Sequence, residues 1–146
     1  MNFDPASFVN LETTEALVRR PPIAEGDYLA TIGEVKSVAW SSDKGSGVRL
    51  VVPLTIQVPP EQQDKLGQSE IKLTDSVMLD LTEGGTLDMG VGKNNALRRY
   101  REATDLNKPG EAFSPARLMG RLIRAKVKHE LYQGDVQERV AGVAKA

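Results

Sequence analysis

The stretch Val48–Val58, VRLVVPLTIQV, constrains the fold more than any other. Val48, Leu50, Val52, Leu54, Ile56 and Val58 share one parity, and Arg49, Val51, Thr55 and Gln57 share the other. Side chains alternate across a strand, so this pattern puts one apolar row on a single face. A helix would scatter the same residues around its circumference. The chain must therefore supply further strands to extend a sheet and cover that row. Pro53 has no N–H to donate, so its nitrogen side belongs at an edge or a bulge.

Other segments meet that demand. Gly26–Trp40, GDYLATIGEVKSVAW, reads as a long first strand with Tyr28, Ala30 and Ile32 on one face. Val35 breaks the phase, and Val38 and Trp40 resume the original parity. Gly33 sits mid-strand, where a glycine permits a sharp bend. Ser41–Gly47 reads as a turn, and Pro59–Gln68 as a polar loop. A third strand follows, with Ile71, Leu73, Val77, Leu79 and Leu81 in one phase. Glu83-Gly84-Gly85 is a turn, and TLDMGVG a short extended piece.

Character changes at Lys93. Leu97, Tyr100 and Ala103 or Thr104 recur at helical spacing, with Arg98, Arg99 and Arg101 outward. Asn94 or Asn95 is the expected N-cap. Ser114-Pro115 starts a second, shorter helix that ends at Gly120. The chain closes with a hairpin, Arg121–Ala146. Ile123, Ala125, Val127 and Leu131 form its apolar face. Arg124, Lys126, Lys128 and Tyr132 form the other. Gln133-Gly134-Asp135 is the turn, and Arg139 and Lys145 lie in the returning strand.

The order predicts a mainly β, α+β domain of five strands with a helix between the third and fourth. That is the element order of the OB-fold, a five-stranded Greek-key barrel. An open five-stranded sheet with a helix on one face fits the same order. Residues 1–25 read as an N-terminal arm, with a helix expected at Leu11–Arg19, and residues 26–146 as the domain. Phe3 and Phe8 would dock on the protein's own surface or on a neighbouring subunit.

Charge is divided unevenly along the 146 residues. Residues 1–92 hold 7 Lys and Arg against 14 Asp and Glu, and residues 93–146 hold 12 against 6. Net charges of −7 and +6 suit either a polyanion partner or head-to-tail contact between copies. With no cysteine, disulfides and thiolate metal sites are excluded. No apolar run is long enough to span a bilayer. The N-terminus lacks the apolar core of a signal peptide, and the expected location is the cytoplasm.

Catalysis finds little footing. His129 is the only histidine and lies in a strand between Lys128 and Glu130. No nucleophile stands at motif spacing from a base. Asp75, Asp80, Glu83 and Asp88 read as a solvated acidic face or a loose cation site, without the spacing of a calcium loop. Gly90-Val91-Gly92-Lys93 is followed by Asn94, so it lacks the phosphate-loop pattern. No enzyme activity, cofactor or metal is expected.

One resemblance spans Leu81–Ala144. It rests on the Gly84-Gly85 turn, Asn94/Asn95-x-Leu97-Arg98 with Glu102-Ala103, and Phe113-Ser114 before Leu118-x-Gly120-Arg121. Val127-Lys128-His129-Glu130-x-Tyr132-x-Gly134, then Arg139-Val140-x-x-Val143, complete it, and Gly26-x-Tyr28 also fits. In this order and spacing the chain resembles small bacteriophage single-stranded-DNA-binding proteins with OB-like folds. The resemblance implies a replication or recombination accessory, in the cytoplasm of a bacterial host, that coats single-stranded DNA without reading sequence. Homo-oligomerisation, as a dimer or a filament on DNA, and phage or host replication proteins as partners are expected with it.

Such binding needs cations along the backbone and rings on which bases stack. The candidate rings are Trp40 and Tyr132, with Tyr28 assigned to the core by its phase. The candidate cations are Lys36, Lys44, Arg49, Arg124, Lys126, Lys128 and Arg139. The basic row is equally what a solvated, protected edge strand looks like. A rival reading is a structural or decoration subunit assembling through its oppositely charged halves.

Overall fold

The computed structural model describes residues 3–146. Six antiparallel strands form one sheet: β1 (Gly26–Ile32), β2 (Lys36–Ser42), β3 (Gly45–Gln57), β4 (Glu70–Met78), β5 (Leu122–Tyr132) and β6 (Asp135–Lys145). Two α-helices, α1 (Pro60–Leu66) and α2 (Asn95–Ala103), and two 3-10 turns complete the described elements. The α+β class and the helix preceding the last hairpin agree with the sequence pattern.

The alternating stretch is the spine. The whole of β4 lies along β3, from Arg49↔Met78 to Gln57↔Glu70. Its other edge takes β2 first and then β1. The outer edge of β1 pairs with β5, and β5 with β6. Leu50, Val52, Leu54 and Ile56 face inward, at most 3% exposed, as the period of two requires. Tyr28, Ala30, Ile32, Ile123, Ala125 and Val127 meet them in the same core. Burying a large apolar side chain stabilises by about 1.5–3 kcal/mol, so this row dominates the fold's stability.

The long first strand is broken in two. From Ile32 to Lys36 it advances four residues while its partners on β3 run only from Leu54 to Val51. One extra residue is a bulge, and a bulge inverts the phase of everything after it. Even-numbered residues face inward in β1 and outward in β2. Val38 and Trp40 were expected on the core face; the bulge turns them to the outer one. Pro53 sits opposite this break. Its carbonyl accepts from Gly33 N at 2.8 Å, and its missing N–H falls where the ladder is interrupted.

No ladder joins β4 to β6, so the sheet is not closed by hydrogen bonds into the expected five-stranded barrel. These two edge strands approach each other, and α2 packs against both. Leu97, Tyr100 and Ala103 make the buried face of α2. Thr104 Oγ1 donates to the Tyr100 carbonyl at 2.8 Å and ends the helix.

Several local expectations are corrected. The loop at 59–68 contains α1, opened by Pro60 and closed by a left-handed Gly67. Only Leu66 of α1 is buried, which leaves almost no periodic signal to read. The turn at 41–47 shrinks to Asp43-Lys44, because Ser42 already pairs with Gly45. The third strand ends at Met78, and Leu81 instead bridges Leu87. Leu131 keeps the parity of the apolar face of β5 but is 76% exposed. Asn94 occupies the N-cap position but caps no helix N–H. Its side chain donates to the Asp80 and Asp88 carbonyls and accepts from Asp80 N.

The arm forms a 3-10 turn at Pro5–Asn10, and the helix expected at Leu11–Arg19 is absent. Leu11, Leu17 and Val18 are exposed, so nothing offsets the cost of nucleating a short helix. The arm's root is fixed instead. The Arg20 guanidinium donates both ways to Glu138, which also accepts from Ile23 N at 2.8 Å. His129 bonds the Ile23 carbonyl through Nε2, and its N–H donates to Glu25. Ile23 itself is fully buried. Among the described residues no helix is long and apolar enough to cross a membrane.

This clamp has a defined pH sense. Burial raises the Glu138 carboxyl, but Arg20 and the Ile23 N–H together outweigh it and hold the group below its ordinary 4.5. The clamp's contribution is therefore present above 4.5 and lost as pH falls through the folded value. The Ile23 amide resonance should titrate in that acidic range. Glu138→Gln should cost about 1–2 kcal/mol in urea unfolding at neutral pH. It should also speed tryptic cleavage between Arg19 and Arg20.

Candidate nucleic-acid interface

Trp40 and its surroundings owe their position to the bulge. On the outer face of the sheet, Lys36, Val38 and Trp40 stand opposite Val51, Arg49 and Gly47. Ser76 and Met78 continue the row on β4. The indole lies close over Gly47, where an added Cβ would come within 2.9 Å of Trp40 Nε1. Only a glycine lets a ring approach the backbone so closely. That nitrogen is buried and makes no hydrogen bond among the described residues. Trp40 is half-buried and Lys36 exposed. Arg49 donates to Ser76 Oγ at 3.1 Å, which braces its stem along the face. Lys44 stands at the tip of the β2–β3 turn.

A second group lies on the last hairpin. Arg124, Lys126 and Lys128 share the outer face of β5, and all are exposed. Arg139 pairs in register with Lys128 and forms an ion pair with Glu130 at 3.3 Å. Tyr132, 56% exposed, sits beside a two-residue turn with φ of 51° at Gln133 and 84° at Gly134. Positive φ at both positions matches the right-handed twist of a tight hairpin. Asp135, read as part of the turn, pairs with Tyr132 instead.

The two groups share the outer face but not one patch. β2 continues β1 past the bulge along one edge of β3, and only the β1 part pairs with β5. The nine candidates thus divide into Lys36, Trp40, Lys44 and Arg49 on one side and Arg124, Lys126, Lys128, Tyr132 and Arg139 on the other. Tyr28 is buried, as its phase indicated, with its hydroxyl donating to the Ala24 carbonyl and accepting from Gln62 Nε2.

Arg139 also works at the seam. Asp75 lies in the inward row of β4 and accepts from the Tyr100 hydroxyl at 2.7 Å. Burial pushes the Asp75 carboxyl above its ordinary 3.8; the Tyr100 hydroxyl, the Ser76 N–H and the Arg139 charge pull it back only in part. Burial, then the neighbouring carboxylate, drive the Tyr100 hydroxyl far above its usual range. Two of the other acidic candidates are engaged in local structure: Asp80 accepts from Asn94 N and Asp88 from Gly90 N. No cluster of three metal-ligating side chains occurs among the described residues.

Arg99 was read from sequence only as one of the outward arginines of α2. It lines one surface notch with Arg124 and Lys126, although it lies on α2. The outward Arg98–Arg101 pattern was the available signal, but spacing alone does not show which arginine reaches the sheet.

The chain matches no protein-family model, and no curated protein matches it.

Two outcomes follow from this geometry. The chain has one tryptophan, so its emission reports Trp40 alone. Gly47→Ala should lift the indole off the sheet and shift that emission to the red. Tyr100→Phe should destabilise the fold by about 1–3 kcal/mol at pH 7. The folded Asp75 pKa lies above 3.8, so the stability of its neutral form is full below 3.8 and lost as pH rises through the folded value. The Tyr100→Phe penalty should therefore shrink at low pH, as urea unfolding at pH 7 and near pH 4 would register.

Proposed function

We propose that the protein binds single-stranded DNA without sequence preference, on a partly open OB-fold-like barrel. The connectivity supports the fold. With β1 and β2 taken as one bent strand, the sheet runs β4-β3-β1-β5-β6, and α2 links β4 to β5. That is the strand and helix order of an OB-fold barrel, a class that is often incompletely closed. Oligonucleotides bind such folds on the face of the second and third strands, between the first and last hairpin loops.

The observation that carries the reading is Trp40. It lies on the outer face of the bent first strand, packed over Gly47 of β3, flanked by Lys36 and Arg49 and next to the Lys44 turn. A half-buried ring on a rigid strand offers a stacking platform, worth about 1–3 kcal/mol per base. Lys126, Lys128 and Arg124 supply phosphate contacts whose strength comes from counterion release. Tyr132 at the last hairpin tip provides a second ring. A coating role in phage replication or recombination accords with such chemistry, which reads no base edges.

Fluorescence anisotropy of a labelled oligo-dT tests the reading. The expected result is binding that falls steeply between low and moderate salt and exceeds binding to the matching duplex. Trp40→Ala should weaken it by about 1–3 kcal/mol. Lys126→Glu with Lys128→Glu should abolish it at moderate salt. Absence of binding at low salt would overturn the proposal.

The arm favours a second, compatible role in assembly. Phe3, Phe8, Val9, Leu11, Leu17 and Val18 are all more than half exposed. Such a run suits a second copy better than water. Light scattering should show an oligomer that removal of residues 1–18 converts to a monomer. A full-length monomer at high concentration would reject it.

A further inference from the structure

Gly142 has no evident structural reason to be a glycine. Its φ lies outside the left-handed range, and an added Cβ would meet nothing within 4 Å. Glycine inside a strand costs stability, and any β-branched residue would serve the strand better. What its bareness does is keep a space open. Gly142 pairs with Lys126 next to a second bulge, where Ala141 is left without a partner on β5. Above it lies a notch of about 430 Å³, lined by Arg99, Arg124, Lys126, Asp27 and residues 141–144.

Three cations without an ion pair among the described residues border this one space. Arg20, Arg98 and Arg139 each have a carboxylate partner. Arg49 and Arg101 are held by neutral oxygens. Arg99, Arg124 and Lys126 make no ion pair among the described residues. Three cations from a helix and a strand thus converge around one carboxylate, Asp27, on a floor without a side chain. Self-repulsion disfavours that arrangement unless an anion shares the space. Two guanidinium groups present flat, forked donors that match a tetrahedral oxyanion.

We propose that the notch over Gly142 is a phosphate-binding site in which Arg99, Arg124 and Lys126 hold one phosphate of the bound strand. The proposal rests on the single-strand reading for the source of the phosphate, not for the chemistry of the site. It extends the strand's path from the Trp40 face across the last hairpin to α2. A phosphate held there also ties α2 to β5 across the edge strand β6.

Gly142→Val is the decisive variant, since it fills the notch without removing a charge. Its melting temperature should equal or exceed that of the parent protein. Two measurements are made on the full chain, the Arg99→Ala variant and Gly142→Val. In the first, inorganic phosphate is titrated against the backbone amide resonances. Residues 141–144 should shift in the parent and not in Gly142→Val. In the second, oligo-dT binding should weaken several-fold in both variants, and Arg99→Ala should lower the salt slope by about 1. Weakened strand binding without amide shifts would support a phosphodiester as the ligand. Amide shifts without strand binding by the parent would retain the site for free phosphate and overturn the single-strand reading. Amide shifts with unchanged strand affinity would remove the notch from the strand's path. Neither effect, with the parent still binding oligo-dT, would overturn the site and leave that reading intact.

Discussion

The extra residue between Ile32 and Lys36 governs the outer face. Without it β2 would continue the phase of β1, and Trp40 would point to the same face as Ile32. With it, Lys36, Val38 and Trp40 turn outward together and meet Arg49 and Gly47. Pro53 makes the arrangement specific, because it withholds a donor where the strand breaks and offers its carbonyl to Gly33. Two residues, one on each strand, therefore decide which face carries the ring.

The seam between β4 and β6 is managed by polar groups as well as by packing. Tyr100 brings its ring into the core and its hydroxyl to Asp75. Arg139 supplies charge from the facing strand. A carboxylate in an inward row is costly unless it is hydrogen-bonded, and here the helix and the edge strand both contribute to holding it. The seam relies on this side-chain set because no backbone ladder spans it.

The parts legible in the sequence were those with a strong period. The alternation at 48–58, the helical spacing of Leu97, Tyr100 and Ala103, and the Gln133-Gly134 turn all have local physical causes. Errors arose where one residue changed the phase or where tertiary contact decided the outcome. Val38 and Trp40 kept their parity on paper, but Gly33 and Pro53 allowed a shift that no pattern count registers. The α1 segment buries too little to leave a stripe. Leu11–Arg19 has apolar residues but no surface beneath them. Of the site, the individual cations and rings were legible from exposure and type. Their division into two groups, and the approach of Arg99 to Arg124, depend on strand order and could not be read from spacing.

The anchoring of the arm at Arg20, Ile23 and Glu25 fixes where its free part begins. Nineteen residues precede Arg20, and a fully extended chain of that length spans roughly 65 Å. A compact domain of this size has a radius of gyration of about 14 Å. The arm can thus reach well beyond the domain's own surface while its root stays tied to β5 and β6. A tether of this kind keeps its apolar residues at about millimolar local concentration around the last hairpin. Any surface that meets the last hairpin therefore also meets the arm's exposed Phe, Val and Leu side chains, before contact with the domain itself is complete.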